Sequence, residues 1–456
     1  MNFSSENTDL WSNIIQLAII SGGILLSNVL RRKVSFVRKG LVPTAVIAGF
    51  LFLFLKAAGV LEMNPVLLET ICYHGIGLGF IALSLRIPSK IKDSDKAIGA
   101  KSGALIVSTY LLQGVVGILV IAVVNIFLEH DVFAASGLLL PMGYGQGTGQ
   151  ANNVGIMYEK IGFAGGQSFG LAIAATGYLC ACVVGIIVLN VAAKKGRLKR
   201  SDYIEGTEDI SSESFQDNGE IPVSESIDRF TIQMALVLMV YGLTYYMIYG
   251  ITELLETISP GVAESLSSLF WGFNFIFGSL IAIIVRVVFT KFRKANLMTR
   301  QYQNNYLLSR ISGFAFDLMI VAGIAAIDIK DLSGLWIPFF ALAIVGGVIT
   351  LIYLKIICKR IYPGYYYEGM LSMYGMLTGT ISSGVLLLRE IDPKLETPAS
   401  NNLITGSSYA IMLGAPLLLI ISLAPQSMFM LCLSVVIMAV YMVALIAFMY
   451  KLKLKK

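Results

Sequence analysis

Two short runs place glycine, hydroxyl and amide groups together inside otherwise apolar stretches. The first is Leu140-Pro-Met-Gly-Tyr-Gly-Gln-Gly-Thr-Gly149, with four glycines between Gly143 and Gly149, followed by Asn152 and Asn153. The second is Tyr374-Gly-Met-Leu-Thr-Gly-Thr-Ile-Ser-Ser-Gly384. So much glycine does not hold a lipid-facing helix. A broken helix in an apolar setting leaves backbone N–H groups at one new end and carbonyls at the other. The N–H end carries partial positive charge and holds carboxylates, and the carbonyl end holds cations. Thr148, Thr378, Thr380, Ser382 and Ser383 add hydroxyls, and Asn152 and Asn153 add amides. The chemistry is recognition of a small ion pair. The two runs align at a constant offset of 230: Tyr144-Gly145-x-x-Thr148-Gly149 matches Tyr374-Gly375-x-x-Thr378-Gly379, with Ile161 loosely against Ile391.

The elements that must position these runs are membrane helices. Of 456 residues, 56% are hydrophobic and 14% charged, against about 25% charged in soluble chains; the mean hydropathy is +0.77. Runs of about 20 apolar residues, the length that crosses the hydrocarbon, fall at 12–30, 41–61, 66–85, 103–128, 167–193, 230–252, 266–289, 311–328, 334–357, 403–424 and 427–450. An all-α polytopic membrane protein with 11 transmembrane helices is expected. Residues 1–11 carry Glu6 and Asp9 and no base, so the first run is not a signal peptide. Bases follow it at Arg31, Arg32, Lys33, Arg38 and Lys39, which puts the N-terminus outside. Alternation then places Arg86 to Lys101, Lys194 to Arg200, Lys291 to Arg300, Lys355 to Arg360 and the Lys451 to Lys456 tail inside. Glu129, Asp131, Glu253, Glu256 and Glu264 fall outside. The chain is thus expected in the cell's inner (plasma) membrane with its C-terminus in the cytoplasm. The net charge of +6 reports this orientation rather than an acidic partner such as nucleic acid.

With that count, both flanks of the first run lie outside and both flanks of the second lie inside. Each run then forms a re-entrant hairpin, near 133–163 and near 364–392. The expected organisation is an inverted-topology repeat, five spans plus a hairpin, twice, an arrangement typical of secondary transporters. Residues 1–193 form the first repeat and 230–424 the second. Between them, 194–229 is a cytoplasmic linker, with nine acids and no Lys or Arg over 201–228. Residues 425–456 add a helix and a basic tail. Tips entering from opposite sides meet near the midplane around one ligand.

Among charges inside the spans, Lys56 and Arg286 lie close to span ends and read as snorkelling side chains. Asp317, within Gly313-Phe-Ala-Phe-Asp-Leu-Met-Ile320, is too short to snorkel; it ligates Na⁺, carries a proton or pairs with a buried polar group. His74 is either a proton site or a hydrogen-bonded packing residue. Five cysteines without paired spacing and two histidines give neither disulfides nor a metal site beyond Na⁺. No phosphate loop is present, the glycines at 145–149 follow no strand, and nothing supports an enzyme or a cofactor.

The run Gly137 to Gly149, followed by Tyr158-Glu-Lys-Ile-Gly-Phe163 and Ala174-Ala-Thr-Gly177, resembles the bacterial sodium/glutamate symporter family, whose architecture is related to that of the citrate carriers. Tyr374 to Ser383 resembles the family's second hairpin more weakly, and Val34-Ser-Phe-Val-Arg-Lys39 its first inner loop. The resemblance spans roughly 12–424. It implies import of glutamate by Na⁺ symport through an elevator-type movement, and a homodimer. It places Gly145, Gly147, Thr148 and Gly149 in the first-tip site and Gly375, Thr378 and Gly379 in the second. Asn152, Thr380, Ser382 and Ser383 complete the expected substrate ligands, and Asp317, Asn153 and Gln146 the expected ion ligands. The chain departs from the family at Gln146, at Met376-Leu377 and in the helix 427–450. Two other readings stay open: a proton-coupled symporter of another dicarboxylate or amino acid, and a membrane receptor that does not transport.

Overall fold

In a computed structural model, residues 8–34, 42–87, 93–128, 132–198, 229–258, 267, 270–298, 300–392 and 397–451 are described. The acidic stretch 201–228, Arg38, Lys39, Glu129, Asp131, Glu264 and the last five residues lie outside them. Every element among the described residues is helical. The helices are α1 (Thr8–Lys33), α2 (Thr44–Ala57), α3 (Pro65–Leu85), α4 (Asp93–Phe127), α5 (Thr148–Glu159), α6 (Gly166–Lys194) and α7 (Arg229–Ile258). There follow α8 (Asn274–Lys294), α9 (Asn305–Ala326), α10 (Trp336–Ile361), α11 (Tyr366–Thr378), α12 (Ile381–Arg389), α13 (Ala399–Leu423) and α14 (Met428–Lys451).

Ten of these are long and apolar enough to cross a membrane, so the chain is a polytopic membrane protein. The expected span 41–61 is instead the 14-residue α2, about 21 Å long at 1.5 Å per residue, short of the roughly 30 Å hydrocarbon thickness. Pro43 precedes its first residue, and Gly59, with φ +69°, turns the chain two residues after its last. Helix α4 begins ten residues before its apolar run, so Lys101, expected in a loop, is a buried helical residue.

The chain divides into two compact units. One comprises Met1–Cys72, Lys92–Tyr203 and Ile320–Lys456; the other comprises Tyr73–Ile91 and Ile204–Met319. In the first unit α4 is central: α10, α13, α14 and the segment before α5 all pack on it. The C-terminal α14 seats Met438 against Gly114 of α4. The second unit is built on α3, α7, α8 and α9, with Ile81, Leu85, Val237, Val240, Ala282 and Leu308 in its core.

Both charges near span ends serve helix termini. Lys56 Nζ donates to the carbonyls of Ala325, Ala326 and Ile327, at 3.3, 3.3 and 3.2 Å. It thus closes the C-terminus of α9. Arg286 Nη1 donates to the carbonyls of Ser84 and Arg86, each at 3.0 Å, and Gln303 Nε2 to that of Leu85. This closes the C-terminus of α3. A cation at a helix C-terminus satisfies orphan carbonyls and opposes the negative end of the dipole. Each side chain thus has specific backbone partners near its span end. Lys56→Met is expected to lower the unfolding free energy of the detergent-solubilised protein by about 1–2 kcal/mol, with Lys56→Arg retaining most of it. Thermal unfolding of the three proteins measures this.

Candidate functional site

The two glycine runs do break helices. After a 3₁₀ turn at Ala134–Leu138 and a π turn at Pro141–Gly145, the chain passes through Gln146 and Gly147 into α5. Gly147 has φ +88° and ψ −172°, a conformation open to glycine and costly for other residues. Residues 134–145 thus form one helical arm leading to the tip, 3₁₀ at its start and π at its end. Pro141 brings no N–H to a helix ladder, and Gly137 crosses Gly117 of α4 backbone to backbone, where a Cβ would collide. The second break is cleaner. Helix α11 ends at Thr378, Gly379 leaves helical geometry with ψ −106°, and extended Thr380 caps α12, its Oγ1 accepting from Ser383 N–H at 3.4 Å.

The structure brings the two breaks together on α6. Gly143 lies against the backbone of Ala174, where a Cβ would sit 2.8 Å from its nitrogen. Gly177 lies between the Tyr144 ring and the Thr378 carbonyl. One residue on, the Tyr178 hydroxyl accepts from Thr148 N–H at 3.4 Å, and its ring is 3.2 Å from where a Gly379 Cβ would be. Along the same face, Gly170 meets the Ala151 carbonyl and Gly185 meets Leu387 of α12. The positive start of α5 and the negative end of α11 thus abut one turn of α6.

The matched tyrosines behave alike. Both Tyr144 and Tyr374 are fully buried. Tyr144 Oη donates to the Ala343 carbonyl at 2.7 Å and Tyr374 Oη to the Gly347 carbonyl at 3.4 Å. These carbonyls are one turn apart on α10, so one helix fixes both tips.

Placement of the other expected residues varies. Thr148 is buried, with its side chain against Gly323 of α9. The Thr378 hydroxyl donates to the Tyr374 carbonyl of its own helix at 2.8 Å. Gly375 packs on Gly384, and Gly149 is buried in the first turn of α5. Asn152 Oδ1 accepts from Gln167 Nε2 at 2.9 Å, and Asn152 Nδ2 donates to Asn153 Oδ1 at 3.4 Å. Those amides face the turn into α6. Gln146 is half-buried at the break. Ser383 is buried, and the Ser382 side chain lies outside the described residues. Asp317 belongs to the second unit, where it is exposed. In that unit His74 Nδ1 shares a 2.7 Å hydrogen bond with Tyr241 Oη, which also accepts from Asn274 Nδ2 at 3.3 Å.

Sequence reasoning missed three residues at the tips. They are Tyr178, Gln113 and Gln150, all fully buried or nearly so. Gln113 Nε2 donates to Thr350 Oγ1 at 2.9 Å and to the Leu377 carbonyl at 3.0 Å. Gln150, in the first turn of α5, buries both amide atoms without a hydrogen-bond partner among the described residues. The available signal for Gln113 was a lone amide within the apolar run Tyr110-Leu-Leu-Gln-Gly-Val-Val116. Comparison with known protein families and with curated proteins found no match.

Gly177→Val is expected to destabilise the protein by roughly 2 kcal/mol or more, because its side chain meets Tyr144 and Thr378 at once. Tyr144→Phe removes the hydroxyl's bonds to the Ala343 carbonyl and Cys180 Sγ, and Tyr374→Phe the bond to the Gly347 carbonyl; each should cost about 1–2 kcal/mol. Unfolding midpoints in one detergent rank the three variants, and Gly177→Val should be the least stable.

Proposed function

We propose that the chain is a secondary transporter that imports glutamate, or a similar small carboxylate, by symport with Na⁺. The observation that carries this reading is the meeting of two helix breaks, one from each half of the sequence, on one turn of α6. Donors and acceptors of opposite polarity converge there. Carboxylates lie at the starts of α5 and α12, where backbone N–H groups have no earlier turn to bind. The cation lies at the end of α11, among the last-turn carbonyls.

The inverted repeat belongs to this proposal, and several features at the offset of 230 support it. Tyr144 and Tyr374 make equivalent bonds to α10. Helices α2 and α8 begin at Thr44 and Asn274, 230 residues apart. Their cations Lys56 and Arg286 share that offset, and each closes the C-terminus of a third helix, α9 or α3. Related halves with opposite orientation supply the two states of alternating access. In the proposed cycle, Na⁺ and substrate neutralise the exposed backbone dipoles, and the loaded tips then pass to the other side by an elevator-type movement. The resemblance to sodium/glutamate symporters points the same way and suggests a homodimer.

In proteoliposomes the purified protein is expected to accumulate labelled glutamate under an inward Na⁺ gradient and not under a proton gradient alone. Thr148→Val should reduce that uptake by about tenfold or more, with the elution profile of the folded protein unchanged. Equal uptake with either gradient would exclude Na⁺ coupling, and full uptake by Thr148→Val would remove the first tip from the site.

A further inference from the structure

Beyond the tip residues themselves, one buried side chain reaches both breaks. Gln113 lies in the middle of α4 with no exposed surface. Both hydrogens of its amide nitrogen are used, on Thr350 Oγ1 and on the Leu377 carbonyl in the last turn of α11. The Leu377 carbonyl only accepts, which fixes the amide: turned over, it would set oxygen against oxygen. Oε1 therefore points the other way, toward the first break, 3.1 Å from where a Cβ of Gly145 would sit. No donor reaches Oε1 among the described residues. Tyr110, one turn earlier on α4, packs its ring on the same glycine, so α4 brings both a ring and an amide oxygen to Gly145.

We infer that Gln113 is a ligand-binding residue of the tip site, and that its Oε1 accepts from a positively charged group bound beside Gly145. A buried amide carbonyl without a donor attracts a cation or an N–H group and repels a carboxylate. Two sources share this chemistry: the coupling cation, and the ammonium of an amino-acid substrate. The nitrogen end of the same amide holds the second tip, so occupancy at the first tip is felt at Leu377. This inference rests on the symporter reading for its choice of ligands, while the binding it predicts is measured without transport.

The test uses the full-length protein in detergent. Na⁺ is titrated without substrate, and glutamate and glutarate, which lacks the amine, are titrated at saturating Na⁺. Calorimetry reads binding. Gln113→Leu and Gln113→Met remove the acceptor; Thr350→Val removes a partner of Nε2 and leaves Oε1. If the occupant is the coupling cation, both Gln113 variants weaken Na⁺ binding roughly tenfold or more. If it is the substrate ammonium, Na⁺ binding stays at the unaltered value and the preference for glutamate over glutarate falls by that factor. Thr350→Val should change neither quantity by more than about threefold. Unchanged binding in the Gln113 variants, or an equal loss in Thr350→Val, overturns the inference. One arm needs no variant: difference infrared spectra of the unaltered protein, isotope-labelled at glutamine side-chain carbonyls, should show a labelled band shifting on saturation. No shift with Na⁺ or with glutamate also overturns it. Absent liposome uptake with intact Gln113-dependent Na⁺ binding counts against the symporter reading alone. Transport that survives Gln113→Leu with unaltered Na⁺ and amine dependence counts against this inference alone.

Discussion

Helix α6 passes within backbone contact of both broken helices, and the arrangement of the tips depends on that closeness. Along one face it presents Gly170, Ala174, Gly177, Ala181 and Gly185, all buried. At Gly177 the neighbours are a tyrosine ring from one break and a main-chain carbonyl from the other. Helices in lipid gain little from apolar burial and associate through close packing, which small residues permit. A larger side chain at Gly177 would separate α6 from both tips in one step. The stripe therefore sets the distance between two segments that are 230 residues apart in the chain.

A second constraint is the accounting of backbone polar groups. Each break leaves helix ends buried among packed helices, and each end must find a partner. The protein meets this with side chains from other helices, Tyr178 at the start of α5 and Gln113 at the end of α11, and with the helix's own cap Thr380 at the start of α12. The same device recurs at the ends of α9 and α3, where Lys56 and Arg286 supply the donors. These bonds hold the irregular backbone in place, and a few buried polar atoms are left without a partner among the described residues. Gln113 Oε1 and the Gln150 amide are such atoms. Both lie next to the first break in structure or in sequence, and neither lies among the residues that glycine spacing alone points to.

The chemistry at the tips is one of fixed dipoles. In the proposed reading, opposed helix ends hold an ion pair with no basic side chain, because the partial charges are already oriented and lose no conformational freedom on binding. The proposed symport uses this directly, since cation and carboxylate each complete a shell that the other's helix end leaves open.

The sequence by itself determined the membrane class, most span positions, both helix breaks and the matched tyrosines. These follow from local facts: apolar length, the intolerance of a helix for four glycines in seven residues, and a repeated spacing. It did not report the form of the first arm, which is helical from Ala134 to Gly145 but 3₁₀ beside the Gly117–Gly137 crossing and π from Pro141. It read Lys56 and Arg286 by distance from span ends alone, and so missed their helix-capping role. Tertiary structure alone decided which side chains serve the breaks. Tyr178, Gln113 and the carbonyls of α10 act on the tips through contacts between residues that are tens to hundreds of positions apart. Asn152 and Asn153, adjacent to the first tip in sequence, bond with each other and with Gln167 instead. A hydrogen bond depends on which atoms lie about 3 Å apart in space, and once the chain folds back on itself, position along it no longer reports that distance.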